Sequence, residues 1–393
     1  MFHRKRKTGY FLLEGLNSLA TAYYFYYLFF YMRQQFKFGS AENLALAALH
    51  GFVYMFAARV GGNVAQSRGY FFALRVGFIV MAGSLTLGSL LSQVAGQVAV
   101  LAVWTIGVCF TWPTLEALVS EKETPAGLRQ MVGLYNLVWA GSSAVAYFIG
   151  GTLFEKLGAK SLFLLPAMLH VIQLAMTFWL EHRATPAGQP PCLPAAALEI
   201  GPRPEAVSPS VSPKTFLRLA WVANPFAYVA INAAMPVIPE LALKLSLSPM
   251  YAGFFCSVWF FARFAAFIWL WWWPGWHYRF DLLLGVNILM VISFAAMLLA
   301  APFGVILLAQ IFFGLSLGLI YYSSLFYSMD VGETKGEHGG VHESAIGTGI
   351  FAGSAVGAAS RHFFPQHAGS STLAVSGLLV LGIAAILVIK RRS

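Results

Sequence analysis

Apolar stretches of about 20 residues recur along the whole chain, separated by short polar breaks, and each is long enough to cross the hydrocarbon core of a bilayer as a helix. In a bilayer only helices and closed barrels satisfy every backbone polar group, so stretches of this length and apolarity point to an all-α membrane protein. Composition agrees: of 393 residues, 59% are hydrophobic, 16% aromatic and only 10% charged, with a mean hydropathy of +0.70. Little chain is left over for a soluble catalytic domain.

The hydrophobic pattern predicts helices at Tyr10–Tyr31, Asn43–Val64, Phe71–Leu91, Val98–Val119, Met131–Phe154 and Ser161–Leu180. Six more are predicted at Phe216–Pro239, Met250–Trp273, Phe280–Ala300, Val305–Ser328, Glu343–Phe364 and Ser371–Ile389. Between the two sets lies a stretch rich in proline and alanine, including Pro186, Pro190, Pro191, Pro202 and Pro204, which cannot form a packed core. The expected organisation is therefore a six-helix bundle over 1–181, a cytoplasmic linker over 182–214 and a second six-helix bundle over 215–393.

A net charge of +10 would suit a nucleic-acid binder, but here the basic residues sort by side of the membrane. Arg4–Lys7, Arg68, Arg75, Lys122, Arg129, Arg183, Arg203, Lys214, Arg218, Arg279, Lys335 and Lys390–Arg392 fall on one side. Fewer, namely Arg33, Lys37, Lys156, Lys160, Lys244 and Arg361, fall on the other. That asymmetry obeys the positive-inside rule for an even number of crossings with both termini cytoplasmic. The expected setting is a bacterial inner (plasma) membrane, with the lipid bilayer and no nucleic acid as partner. The basic start Arg4–Lys7 precedes an apolar run too long for a signal peptide, so it reads as the start of a retained first helix. Cys109, Cys192 and Cys256 are too scattered for a disulfide framework or a zinc site.

After the second helix, Gly62-Asn63-Val64-Ala65-Gln66-Ser67-Arg68-Gly69 resembles the loop signature of the major facilitator superfamily: a glycine, then Ala-Asp-Arg, then a second glycine. Gln66 stands where that signature has its acid, and Ser67 where it has its arginine. From the fourth to the sixth helix, Gly107, Pro113, Ala117, Ser120, Arg129, Gly133, Gly150-Gly151, Leu153, Gly158 and Phe163 fall at that family's spacing. The halves also echo each other, Asn17 matching Asn224, Gly107 matching Gly318, and Gly133, Ala140, Gly141 and Ser142 matching Gly347, Ala352, Gly353 and Ser354. The resemblance implies twelve transmembrane helices in two pseudo-symmetric six-helix bundles that rock around a central site. It also implies a cytoplasmic gate at Gly62, Gln66, Arg68, Gly69 and Arg129, its ionic latch weakened by loss of the acid. Val103 and Ala146-Tyr147 depart from the motifs of the proton-coupled drug antiporter branch.

A strongly polar group inside a membrane helix costs roughly 2.5–3.5 kcal/mol on insertion scales, so each asks for a reason. Asn17, Thr21 and Tyr24 follow Glu14 at helical spacing, and Asn224, Tyr228 and Asn232 repeat the stripe on the seventh helix. These two stripes are candidate substrate contacts, the alternative being that the amides simply tie helices together. Tyr135, Asn136, Trp139 and Tyr321 are placed to stack on an organic ligand, and Arg263 to hold an anionic group. Glu14 and Glu116 are candidate proton carriers, although Glu116 would also suit an ion pair with Arg129 near the headgroups. His50 reads as a neutral hydrogen-bond partner and Arg59 as a snorkelling residue. Asp330–Glu343, with His338 and His342, reads as a solvated loop or latch rather than a metal site.

No Gly-Lys-Ser/Thr nucleotide loop occurs, so the energy source is expected to be an ion gradient. The expectation is a monomeric secondary transporter, not an enzyme, moving a small organic solute with protons by alternating access, with no cofactor or metal. The rivals are a lipid or lysolipid flippase and a non-transporting receptor or scaffold. Ligand counterflow separates transport from the last of these.

Overall fold

The computed structural model describes residues 2–121, 123, 125–183, 212–331 and 335–392, and the regular elements among them are helical. The first six helices are α1 (Phe2–Phe36), α2 (Ser40–Arg68), α3 (Tyr70–Gly88), α4 (Val94–Ser120), α5 (Pro125–Leu157) and α6 (Ser161–Arg183). Next, α7 runs through Pro213–Ala234, a 3₁₀ turn Met235–Val237 and Ile238–Lys244, while α8 comprises Pro249–Cys256 and Val258–Trp272. The remaining helices are α9 (Phe280–Leu299), α10 (Phe303–Val331), α11 (Lys335–Phe363) and α12 (Ser370–Arg391). The interruption in α7 has a cause in its sequence: Pro236 and Pro239 each remove a backbone donor and crowd the preceding turn.

Ten of these runs are long and apolar enough to cross a membrane. α1 and α11 complete the twelve. α1 is tyrosine-rich yet deeply enclosed, with Leu13, Tyr24, Tyr27 and Phe29 fully buried, so it has little lipid-facing surface that must be apolar. Residues such as Ile292, Leu381 and Trp272 instead stand 60%, 64% and 76% exposed, as a lipid-facing surface requires.

The predicted helices are all present, most extended by a few residues. Three extensions change the reading. α1 begins at Phe2, and Lys7 is a buried residue whose ammonium donates to the Val119 carbonyl (2.8 Å) and pairs with Glu123. Gly62–Arg68 is not a loop but the last turns of α2, and the break comes only at Gly69, whose φ of 94° a side chain would resist. α11 begins at Lys335, so His342 and Glu343 lie within a helix and not in a solvated loop. His338's side chain, that of Arg129 and most of the proline-rich stretch lie outside the described residues.

The packing repeats with an offset of six helices. In the first half α1 packs on α5 and α6, α4 on α2 and α3, and α3 on α6. In the second, α7 packs on α11 and α12, α10 on α8 and α9, and α9 on α12. The halves meet along two seams, α2 on α11 and α5 on α8, which exchange under the same offset.

Glycine permits both seams to close to backbone contact. A Cβ on Gly51 would sit 2.3 Å from the Phe351 nitrogen, one on Gly347 2.6 Å from the Met55 nitrogen, and one on Gly151 2.1 Å from the Pro249 carbonyl oxygen. At the end opposite the termini, polar bonds join the halves as well. The Ser40 hydroxyl donates to Glu240, which also pairs with Arg361 at 2.5 Å. Asn43 donates to the Pro236 carbonyl at 3.3 Å, and the Met250 amide to Glu155 at 3.0 Å.

Candidate functional site

A cavity of about 100 Å³ lies between the halves. Helical spacing explains its wall. On α1, Glu14, Thr21, Ala22 and Phe25 share one face; on α4, Trp104, Val108 and Trp112 are four apart; on α11, Glu343, Ile346 and Ile350 are three and four apart. Tyr26 adds a further ring from α1, and Tyr54, Tyr135, Trp139, Tyr228 and Tyr321 add rings from α2, α5, α7 and α10. Trp139 meets Tyr321 edge-on at 5.2 Å and Phe267 edge-on at 5.7 Å, so the indole is held in place from behind.

The polar groups of the wall divide into two poles. At the acidic one, Glu14 is fully buried; it accepts from the Ser18 hydroxyl at 2.7 Å, and its other oxygen has no partner among the described residues. Glu343 accepts from the Tyr54 hydroxyl across the α2–α11 seam, with His342 Nδ1 3.9 Å from its other oxygen. Glu116 does not line the pocket. At the other pole stands Arg263 of α8, its guanidinium carbon 4.6 Å from the centre of the Trp139 ring. Asn232 also lines the wall, donating to the Tyr228 carbonyl at 3.1 Å.

Of the residues singled out in the sequence, Glu14, Thr21, Tyr135, Trp139, Tyr228, Asn232, Arg263 and Tyr321 meet on this wall. Four others stand behind it. Asn17 donates to Thr111 at 3.3 Å and ties α1 to α4, while Asn224 donates to His342 Nε2 at 3.2 Å and ties α7 to α11. Tyr24 packs edge-on against Trp104 at 4.8 Å inside the first half, and Asn136 accepts from the Trp139 indole at 3.1 Å. Gly62, Gln66, Arg68 and Gly69 are away from the pocket, at the end that carries the termini; Gln66 and Arg68 are exposed, and Arg68 lies over Phe72 at 5.6 Å. His50 lines the pocket and bonds Thr105 at 2.7 Å, and Arg59 is exposed.

Glu343, Tyr54, Trp104, Trp112, Phe25 and Tyr26 are among the wall residues that were not site candidates in the sequence. For the two tryptophans a signal existed in their eight-residue spacing with Val108 between. For Glu343 the neighbouring glycines hid it.

A family model described as Major Facilitator Superfamily matches residues 11–360. The chain belongs to the Major Facilitator Superfamily. Its repeat of packing across six helices, its two seams and its central pocket are thus those of a multi-pass membrane transporter. Among solved structures, this major facilitator is similar to a mutant of the nucleoside transporter NupG, with a TM-score of 0.70 and 15% identity over 98% of this chain and 99% of that one. It is likewise similar to a second structure of NupG, with a TM-score of 0.67 and 14% identity over 98% of each chain. At such identities the likeness is one of fold. No curated protein matches the sequence.

Proposed function

We propose that this major facilitator is a monomeric secondary transporter of a small, ring-bearing organic solute, working by alternating access and coupled to protons. The observation that carries the reading is the pocket itself: a space between two halves, walled by flat rings, with carboxyls at one pole and a cation at the other. Rings supply broad contact area for a planar solute, and a few polar groups fix its orientation. The ring faces of the wall would stack on a nucleobase, in keeping with the fold's likeness to the nucleoside transporter NupG. Glu14 and Glu343, two buried carboxyls on one pocket wall, would repel each other if both were charged, which makes them a natural store for a transported proton. The charge asymmetry of the loops favours cytoplasmic termini and a bacterial inner membrane.

Counterflow in proteoliposomes tests the proposal. Vesicles loaded with unlabelled solute should take up the labelled form from a panel of nucleosides, aromatic acids and their neutral amides. Trp139→Ala is expected to weaken apparent affinity about three- to tenfold, the worth of one aromatic contact. If no panel member exchanges, and a labelled lysolipid does cross between leaflets faster than in protein-free vesicles, the flippase reading replaces this one.

A further inference from the structure

Among the described residues on the pocket wall, Arg263 is the single guanidinium or ammonium group, and it has no counter-charge. It is 4% exposed, and its Nε and Nη2 lack any hydrogen-bond partner. The described ion pairs all involve other residues. Its surroundings are ring faces: Trp139, Trp259 and Phe260 lie 4.6, 5.1 and 5.3 Å from the guanidinium carbon. Rings attract a cation through their quadrupole but offer no acceptor for its N–H groups. The wall carboxyls Glu14 and Glu343 accept hydrogen bonds from Ser18 and Tyr54, and neither forms an ion pair with Arg263.

A desolvated cation with idle donors is costly to keep, and the cost is recovered when a partner arrives carrying the opposite charge. A guanidinium presents a planar fork that matches a carboxylate through two parallel bonds. One positive charge balances one negative charge. A phosphate dianion would leave a second charge uncompensated in a space shared with Glu14 and Glu343.

We infer that the solute is a ring-bearing monocarboxylate, its carboxylate seated on Arg263 and its ring against Trp139 and Tyr321. This deepens the proposed function and rests on it.

The test compares acids with their amides, which match in shape and differ in charge: benzoate with benzamide, phenylacetate with phenylacetamide, nicotinate with nicotinamide, and indole-3-acetate with its amide. Binding is read by thermal shift of the full-length protein, and transport by counterflow. At least one acid should bind at least about tenfold more tightly than its amide, the scale expected of a charge-assisted bidentate pair. Arg263→Gln should make acid and amide equal, and Arg263→Lys should keep the preference at reduced strength. Should the Arg263 variants fail to fold, the wild-type acid–amide comparison decides alone. Equal recognition of acid and amide by the wild type overturns the inference. So does exchange of a neutral nucleoside with no acid recognised, and in either case the transport reading stands. Absence of counterflow for every solute brings down both together.

Discussion

Gly151→Leu is expected to cut transport by about tenfold or more while leaving the melting temperature of the solubilised protein close to that of the wild type. The added Cβ alone would fall 2.1 Å from the Pro249 oxygen and 2.8 Å from the Met250 Cα, and there is no flexible side-chain tip there to move aside. α5 and α8, however, belong to different halves. The clash is relieved by parting them at that end, with no need to unfold either half. Overpacking costs of roughly 1–3 kcal/mol, applied to a balance between two conformations, shift it by roughly five- to 150-fold. The control is Gly61→Leu. Its Cβ would lie 2.2 Å from the Cys109 oxygen, between α2 and α4 of one half, which cannot separate without dismantling that half. Gly61→Leu should therefore lower the melting temperature as well as activity. Spin labels at the facing ends of α5 and α8 should report a longer distance in Gly151→Leu. An equal loss of thermal stability in both variants would mean that the α5–α8 seam is as permanent as the interior of a half.

Glu343→Gln is expected to abolish solute accumulation driven by a pH step while sparing counterflow. The amide keeps an oxygen to accept from Tyr54 but can no longer take or release a proton. One proton moving down a difference of about 1 pH unit supplies about 1.4 kcal/mol, enough for a roughly tenfold concentration ratio of solute. In the wild type that ratio should appear when a pH step is imposed and vanish when an ionophore collapses it. In the variant the solute should only equilibrate, with or without the step. Glu14→Gln and Glu116→Gln serve as companions, because these two carboxyls are the other candidate proton carriers within the helices. Accumulation by Glu343→Gln equal to the wild type would assign the proton to another member of the trio or remove it from the cycle.

How far the sequence could be read follows from what sets each feature. Ten helices are long and apolar enough to cross a membrane, a property of one-dimensional composition, and so most of the helices could be located within a few residues. Equivalence of the halves showed in Asn17 and Asn224 because each does the same job, tying the first helix of its half to a neighbour. That role also explains why neither is on the pocket wall. Helical spacing says which side chains share a face, as Asn17 and Thr21 do, but not which neighbour the face meets. Tyr24 was drawn toward Trp104 and Phe163 inside its own half, a choice made by packing between segments far apart in the chain. Trp104 and Trp112 are indistinguishable by composition from lipid-facing bulk, since only tertiary structure turns an aromatic stripe inward. Glu343 was concealed because Gly336, Gly339 and Gly340 favour a break, yet the helix carries through.

The glycine contacts of the α2–α11 seam also have a mechanical meaning. Gly51 meets the backbone of Ile350 and Phe351, and Gly347 meets that of Tyr54 and Met55, each contact the mirror of the other about a local twofold. Both glycines sit near the middle of helices of 29 residues. At 1.5 Å per residue, arms of roughly 20 Å extend from this crossing in either direction. Rotation of one helix on the other by about 10° would carry the tips about 3.5 Å, in opposite senses at the two ends, and hardly displace the crossing point. A beam balanced at its centre cannot lower one end without raising the other by the same amount, so the placing of two glycines would make the exclusion of simultaneous opening a matter of leverage.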